Sequence, residues 1–148
     1  LSYKVFSLLG DGELAEGSNW EAAMAASHYN LDNLIMILDY NKLQITGANN
    51  AVMNSEPIAD KFKAFGWAVK EVDGHNIAEL KDSFHQIPIV NGKPTLVIAH
   101  TIKGNGVSFM ENAVNWHHKV PDEEQYALAQ QELDEKILAL STIETKEQ

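Results

Sequence analysis

The chain has 148 residues, no cysteine and a formal net charge of −10 at pH 7, and 45% of its residues are hydrophobic. This length predicts one domain, and the absence of cysteine excludes disulfides and thiolate metal sites, so any metal must be held by oxygen or imidazole. The charge argues against a nucleic-acid partner, because that affinity depends on basic residues that neutralise phosphates. All 11 basic residues are lysines, so the chain lacks the planar guanidinium that suits phosphate.

Neither a membrane span nor a secretory signal is indicated. The sequence has no apolar run of the length that a span needs, and its first residues lack a basic-then-apolar pattern. We therefore expect no membrane partner and a cytoplasmic location. A strand-like segment follows Leu1 almost at once, which favours a piece of a longer protein, incomplete at its N-terminus.

Strand-like and helix-like segments alternate along the first hundred or so residues. In chain order we predict a strand at 3–9, a helix at 19–29, a strand buried on both faces at 34–38, a short helix that begins at 58 and ends at Gly66, a strand at 67–72, a helix of about ten residues opened by a capping box at 76–79, and a strand at 95–101. This alternation predicts an α/β fold with a mainly parallel sheet and helices on both faces.

The rest of the chain is predicted to be a loop and a helix. Residues 103–120 are polar and irregular, which is typical of a functional surface loop. An acidic helix is predicted to begin at Pro121–Glu124, and residues 121–148 are interpreted as a helix and tail of the same domain. The helix carries an apolar stripe that we interpret as packing rather than as a site for a partner: Tyr126, Leu133, Ile137 and Leu140.

The turn Gly10-Asp11-Gly12 follows the first predicted strand and precedes the first helix. With Ala15 it also fits the dinucleotide-binding fingerprint, but Asp39, the nearest candidate for the ribose-binding acid, comes later than that fingerprint requires. Asp11 would also set a negative charge against a diphosphate, which is unfavourable unless a cation lies between them. The turn therefore predicts a bridging metal ion.

A second oxygen donor for this cation follows the next strand. Asn41 comes thirty residues after Asp11, and the two side chains converge if the strands are neighbours in a parallel sheet. A carboxylate, an amide oxygen, a backbone carbonyl and two phosphate oxygens would make an octahedral site suited to Mg²⁺. On spacing alone, the alternative that Asp11 is a turn residue and Asn41 a loop cap stays open.

These motifs resemble the thiamine-diphosphate motif, in which GDG is followed by a buried strand that ends in a distant Asn. The stretch 10–47 more specifically resembles the N-terminal, diphosphate-binding domain of transketolases, and the similarity continues through residues 62–80 and 100–121. The resemblance implies that residues 1–148 form a diphosphate-binding domain with the thiamine-diphosphate-binding fold.

The resemblance also implies the residues that hold the cofactor. The metal ligands would be Asp11, Asn41 and the backbone carbonyl of Leu43, with Mg²⁺ or Ca²⁺ as the ion. The glycines of the GDG turn, Gly10 and Gly12, would bind the diphosphate.

Two further roles follow from the same resemblance. Ile45 would border the cofactor ring. Glu16, in the first turn of a helix, either compensates the helix dipole or lies at the subunit interface near its counterpart, and the resemblance favours the interface.

Three basic residues would surround the sugar and the diphosphate in the implied site. Lys103 and His117 would contact both cofactor and substrate, and Lys119 the substrate. His117 is the catalytic candidate, because an imidazole can donate a hydrogen bond to a developing oxyanion and titrates near neutrality. His118 replaces the glycine that is common in the family at this position, and its side chain can shift the loop that carries Lys119.

The implied activity is transfer of a two-carbon ketol unit from a ketose phosphate to an aldose phosphate, as in the pentose phosphate pathway. The carboxylate that activates the cofactor belongs to a pyrimidine-binding domain that is absent here, so this chain would act only with a partner chain or domain. The complete enzyme would be a homo-oligomer, a dimer at least. Both a split, two-subunit transketolase and a fragment of a longer polypeptide are compatible with the sequence.

Two alternatives of different classes remain. The enzymes 1-deoxyxylulose-5-phosphate synthase and the E1 components of 2-oxo acid dehydrogenases share GDG and the distant Asn, but GELAEGSNWEAA and WHHK favour transketolase. Outside enzymes, the chain could be a non-catalytic interaction module of the same fold. The presence of Asp11, Asn41 and His117 argues against such a loss of function.

Overall fold

The computed structural model of the chain describes residues 3–144, and of residues 141–144 the backbone alone. The contacts divide the chain into two compact units, one that ends at Thr101 and one that begins at Ile102, and each is described by itself. The interpretation of residues 1–148 as one diphosphate-binding domain stays a prediction. Residues 145–148 of the predicted tail lie outside the described residues.

The first unit contains a parallel sheet. Its elements in chain order are β1 (Val5–Gly10), a 3₁₀ helix (Asp11–Ala15), α1 (Gly17–His28), β2 (Leu34–Tyr40), β3 (Leu43–Gln44), β4 (Gly47–Ala48), α2 (Asn49–Val52), α3 (Ile58–Ala64), β5 (Ala68–Asp73), α4 (Ile77–His85) and β6 (Thr95–His100). The strands β1, β2, β6 and β5 form, in that order, a four-stranded sheet in which all neighbours are parallel. β3 and β4 form a small antiparallel hairpin. The predicted α/β fold is confirmed.

Helices cover both faces of this sheet. On one face, Ala23 of α1 and Phe62 of α3 are buried in a cluster with Leu38 of β2. On the other face, Phe84 of α4 packs against a cluster that contains Ile35 of β2. Because β2 contributes to both clusters, the prediction of a strand buried on both faces is confirmed.

The ends of the elements differ from the expectation by a few residues. α3 ends at Ala64, before Gly66, whose φ of +94° favours glycine. At the start of α4, Asn76 caps the helix by accepting a hydrogen bond from the Glu79 N–H at 3.1 Å. The Glu79 carboxylate accepts from the Asp73 N–H at 3.3 Å rather than from Asn76, so only half of the predicted capping box forms.

The second unit consists of the predicted loop and helix. The loop contains a 3₁₀ helix (Val114–His117) and is followed by α5 (Glu123–Glu144). α5 holds the loop through polar side chains: Glu132 accepts from the Ser108 N–H at 2.6 Å, and Lys136 donates to the Gly106 carbonyl at 2.9 Å.

The packing interpretation of the apolar stripe on α5 is wrong for the described chain. Helical spacing places apolar residues on one face but does not supply a layer to cover that face. The four side chains are between 40% and 65% exposed: Tyr126, Leu133, Ile137 and Leu140. Within residues 3–144, no helix has both the length and the apolar character that crossing a membrane requires.

Candidate functional site

Asp11 lies at the carboxyl end of β1, where the chain turns into the 3₁₀ helix. Its side chain is only 2% exposed, and its Oδ2 accepts a hydrogen bond from the Lys42 N–H at 2.6 Å. Burial raises the pKa of Asp11 above its usual value, and the negative charge of nearby Asp39 raises it further. Hydrogen bonds from the Asn49 side chain and from the Lys42 and Gly12 N–H groups lower this pKa, but by less than burial raises it. Neither ion pair found among the described residues includes Asp11.

The residues after β2 form a tight turn beside Asp11. Lys42 has a φ of +66°, a left-handed conformation that is uncommon outside glycine. The turn is closed by the Leu43 N–H, which donates to Asn41 Oδ1 at 3.0 Å, and by the Asn49 N–H, which donates to the Lys42 carbonyl at 3.0 Å. This conformation directs the Lys42 N–H at Asp11. The condition on which the two side chains were expected to converge is met, because β1 pairs directly with β2.

The donor atoms at this edge suit a hard divalent cation. A carboxylate, an amide oxygen and a backbone carbonyl, from Asp11, Asn41 and Leu43, are the oxygen ligands that Mg²⁺ and Ca²⁺ prefer. Two buried polar atoms beside them, Asn49 Oδ1 and Gln44 Nε2, have no hydrogen-bond partner in the described part of the chain. Native proteins rarely leave such atoms unsatisfied, so the region has unused capacity for an ion, water or phosphate.

A cluster of three acidic or histidine side chains is not required for such a site. None that could hold a metal occurs within the described ranges. The predicted set contains a single carboxylate, and its other donors are amide and backbone oxygens, which is compatible with a cation that also binds phosphate oxygens.

The two glycines of the GDG turn are engaged within the chain. The Gly10 N–H donates to Glu13 Oε2 at 2.6 Å. A Cβ at Gly12 would lie 2.9 Å from the Cβ of Gln44, so this position requires glycine for the close approach of the two loops. The Gly12 N–H, predicted to bind diphosphate, interacts with the Asp11 carboxylate in the structure.

Two other predicted residues lie at the surface of the first unit. Ile45, between β3 and β4, has a side chain that is 57% exposed. Glu16 is exposed and stands immediately before α1, not within its first turn, where its carbonyl accepts from the Asn19 N–H at 3.2 Å. Both side chains are accessible, and the cofactor and interface roles stay predictions.

Lys103 begins the loop of the second unit. The loop closes on itself, because the Asn112 N–H donates to the Lys103 carbonyl at 2.9 Å. Gly104 has a φ of +72°, and a Cβ there would lie 2.5 Å from the Met110 carbonyl oxygen. Glycine is therefore required at this position, both for the backbone conformation and for the close approach.

His117 is exposed at the end of the second 3₁₀ helix. Its ring lies edge-on to the ring of His118, with the centroids 4.6 Å apart. Desolvation, then the charge of Lys103 and that of His118, lower the pKa of His117 from its usual value, so the imidazole is neutral at pH 7. Lys119 directs its Nζ over the Trp116 ring at 4.6 Å from the centroid.

Sequence reasoning missed two side chains of the Asp11 region. The sequence presents Asp39 only as a candidate ribose-binding acid, yet its carboxylate accepts from Asn41 Nδ2 at 3.4 Å. The spacing of two residues is a signal that could have found it, because alternate side chains of an extended strand lie on the same side. Asn49 carries no such signal, since the β3–β4 hairpin brings it back to Asp11.

A parallel sheet with oxygen donors at the carboxyl ends of neighbouring strands is the architecture of a cofactor-binding α/β domain. The family model described as "Transketolase, thiamine diphosphate binding domain" matches residues 1–137. The chain therefore belongs to the thiamine diphosphate-binding domain family of transketolases. The resemblance stated from the sequence is confirmed.

Individual relatives agree with this membership. The chain is 49% identical over 135 residues to an apulose-4-phosphate transketolase subunit of Phocaeicola vulgatus, and the match covers 91% of this chain and 48% of the relative. It is 42% identical over 132 residues to the 6-deoxy-6-sulfo-D-fructose transketolase subunit SqwG of a Clostridium species, with 89% and 48% covered. The solved transketolase of Campylobacter jejuni superposes with a TM-score of 0.84 at 31% identity, over 90% of this chain and 21% of that one. The chain spans about half the length of the transketolase subunits that it matches.

Proposed function

We propose that this chain is the diphosphate-binding part of a transketolase that depends on thiamine diphosphate and on Mg²⁺ or Ca²⁺. The complete enzyme would transfer a two-carbon ketol unit from a ketose phosphate to an aldose phosphate. The observation that carries the proposal is the buried Asp11 carboxylate, which the Lys42 N–H contacts at 2.6 Å beside further oxygen donors. Membership of the thiamine diphosphate-binding domain family supports the identity of the cofactor.

In this proposal Asp11, Asn41 and the Leu43 carbonyl hold the cation. A cation held there would offset the charge of Asp11, which as a bare carboxylate would repel a diphosphate. Gly10 and Gly12 would form the turn that binds the diphosphate. When bound, thiamine diphosphate supplies the chemistry that breaks and forms the carbon–carbon bond.

The second unit contributes the groups that bind the sugar. His117 is a neutral donor at pH 7, because its pKa is lowered, and it stabilises negative charge that develops on sugar oxygens. Lys103 adds positive charge for the diphosphate and the substrate, and Lys119 binds the sugar phosphate. Ile45 borders the cofactor ring, and Glu16 lies at the subunit interface.

The proposal includes a partner that carries the pyrimidine-binding part, as a second subunit or as the rest of a longer polypeptide. It is supported by relatives whose names identify them as subunits and by the roughly half-length match to them. The lack of arginine also supports a partner that supplies phosphate-binding groups. A homo-oligomeric complete enzyme in the cytoplasm, without nucleic-acid or membrane partners, is part of the same proposal.

A calorimetric titration of the complete enzyme with thiamine diphosphate, with and without Mg²⁺, tests the proposal. We expect binding that requires Mg²⁺ and that Asp11→Asn abolishes, because this variant keeps the shape of the side chain but removes its charge. Asp60→Asn is the matched control: it removes an exposed carboxylate, 3.5 Å from Lys63, and should bind as the wild type does. Assembled protein without Mg²⁺-dependent binding would instead identify a non-catalytic module.

The reaction class needs a separate assay. A ketose phosphate donor and an aldose phosphate acceptor should give a product longer by two carbons if the enzyme is a transketolase. Turnover of a 2-oxo acid in place of the ketose would instead favour the synthase or dehydrogenase classes that share the GDG motif.

A further inference from the structure

We propose that Asp39 is a positioning residue for the cation site. Its carboxylate holds the side-chain amide of Asn41 so that the amide oxygen is available to the ion. This inference rests on the proposed function. Asp39 belongs to β2 and pairs in register with Gly10 of β1 and Ala99 of β6, so its backbone is fixed on both sides. Asp39 itself is not one of the predicted ligands.

The carboxylate of Asp39 connects two groups at the end of the sheet. Its Oδ1 accepts a hydrogen bond from Thr101 Oγ1, and its Oδ2 accepts from Asn41 Nδ2 at 3.4 Å. At the other end of the same amide, Asn41 Oδ1 accepts from the Leu43 N–H at 3.0 Å. The two partners determine the orientation of the amide, because an ionised carboxylate can only accept and a backbone N–H can only donate.

The Thr101 hydroxyl is itself well placed to hold Asp39. Thr101 directly follows β6, and its backbone N–H donates to the Tyr40 carbonyl at 3.2 Å. The hydroxyl donor therefore comes from backbone that the neighbouring strand already holds. The chain of contacts runs from Thr101 through Asp39 to Asn41, so the effect of Asp39 on Asn41 can be changed from either end.

Charge gives Asp39 a second effect on the site. Its carboxylate is near enough to Asp11 to raise the pKa of that group. Two nearby carboxylates repel each other, and a divalent cation between or beside them offsets this repulsion. Hydrogen-bond acceptors that contact a metal ligand on the side away from the metal also increase the basicity of that ligand. The loss of such an acceptor typically weakens metal affinity about 10–100-fold.

The experiment measures the Mg²⁺ concentration that half-saturates thiamine diphosphate binding in the complete enzyme, together with the thermal midpoint without ligands. We expect Asp39→Asn to raise this Mg²⁺ requirement about tenfold or more, with the thermal midpoint and the cofactor affinity at saturating Mg²⁺ little changed. Thr101→Val, which removes only the hydroxyl donor, should raise the requirement less. Thr101→Ser keeps the hydroxyl, so its Mg²⁺ requirement should equal that of the wild type.

Each alternative outcome decides between explanations. An unchanged Mg²⁺ requirement in Asp39→Asn, with binding lost in Asp11→Asn, overturns the inference and leaves the proposed function standing. If Asp11→Asn also binds normally, the proposed function fails, and the inference fails with it. If Asp39→Asn does not fold, the threonine pair decides: an equal requirement in Thr101→Val and Thr101→Ser overturns the inference, and a higher one in Thr101→Val supports it.

Discussion

The predicted cation site and the predicted sugar-binding groups are built in different ways. Asp11 is 2% exposed and is held by backbone N–H groups at the end of a parallel sheet. His117, His118 and Lys119 are exposed on a loop and contact mainly neighbouring rings. The comparison teaches that the fold fixes the geometry of the predicted cation site, whereas these three loop side chains are exposed and contact mainly one another and Trp116. Substitutions at the predicted cation site should therefore change cofactor affinity, and substitutions among the predicted sugar-binding groups should change turnover.

The largest expected effect is that of Asp11→Ala on cofactor affinity. The substitution removes the only carboxylate of the predicted ligand set and leaves the Lys42 N–H without its acceptor. Since loss of an outer-sphere partner alone typically costs about 10–100-fold in metal affinity, we expect at least about 100-fold weaker thiamine diphosphate binding at fixed Mg²⁺. Equilibrium dialysis of the complete enzyme measures it. An affinity within twofold of wild type would contradict the assignment of Asp11 to the cation site.

His117→Ala is expected to act on turnover instead. A positioned acid–base group typically contributes about 10²–10⁴-fold to the rate, so kcat should fall within that range. Because His117 is exposed and is not one of the proposed cation ligands, thiamine diphosphate affinity should fall far less than in Asp11→Ala and stay within about threefold of wild type. Steady-state kinetics and dialysis on the same preparation separate the two quantities. A parallel loss of affinity and turnover would contradict the distinction between the regions.

Gly104→Ala should destabilise the loop that carries Lys103. The left-handed backbone costs a non-glycine residue roughly 1–2 kcal/mol, and the new Cβ would also approach the Met110 carbonyl oxygen to 2.5 Å. Gly92→Ala is the control, because Gly92 has a similar φ of +75° and open space around its Cβ position. Denaturant unfolding should show a larger loss of the free energy of unfolding for Gly104→Ala. Equal losses would mean that the close approach contributes nothing.

The smallest effect concerns the contact that joins the loop to α5. Hydrogen bonds from the Ser108 hydroxyl and N–H lower the pKa of Glu132 below its usual value of 4.5. The stabilisation is therefore present above that value and is lost as the pH falls through the lowered pKa of the folded state. Ser108→Ala should lower the thermal midpoint slightly at pH 7. This difference from wild type should disappear in acid, and a constant difference at all pH values would exclude the ionised carboxylate as its cause.

The fold was largely predictable, because strands that alternate with helices favour a parallel sheet, and a strand buried on both faces needs helices on both sides of that sheet. The convergence of Asp11 and Asn41 was predicted on the condition that β1 and β2 are neighbours, and the two strands pair in the structure. The packing of the stripe on α5 was not predictable, since Leu133 and Ile137 have helical spacing whether or not another layer covers them.

Much less of the candidate site could be predicted. Lys42 has no residue-type signal for its left-handed φ of +66°, yet this conformation directs the N–H that Asp11 accepts. The contact of Asn49 with Asp11 depends on the β3–β4 hairpin, whose strands are two residues each and carry little pattern. Local spacing can place donors at the end of a strand, but the turn that holds them together depends on contacts distant in sequence.

Native mass spectrometry of the intact complex, with and without Mg²⁺ and thiamine diphosphate, tests whether this chain holds the cofactor diphosphate through a divalent cation at Asp11. We expect a species that contains this chain and its partner part, with cofactor retained only when Mg²⁺ is present. Asp11→Asn should assemble equally well and lose the cofactor. An assembled wild-type complex that retains no cofactor, or an Asp11→Asn complex that retains it fully, would contradict a cation site at Asp11.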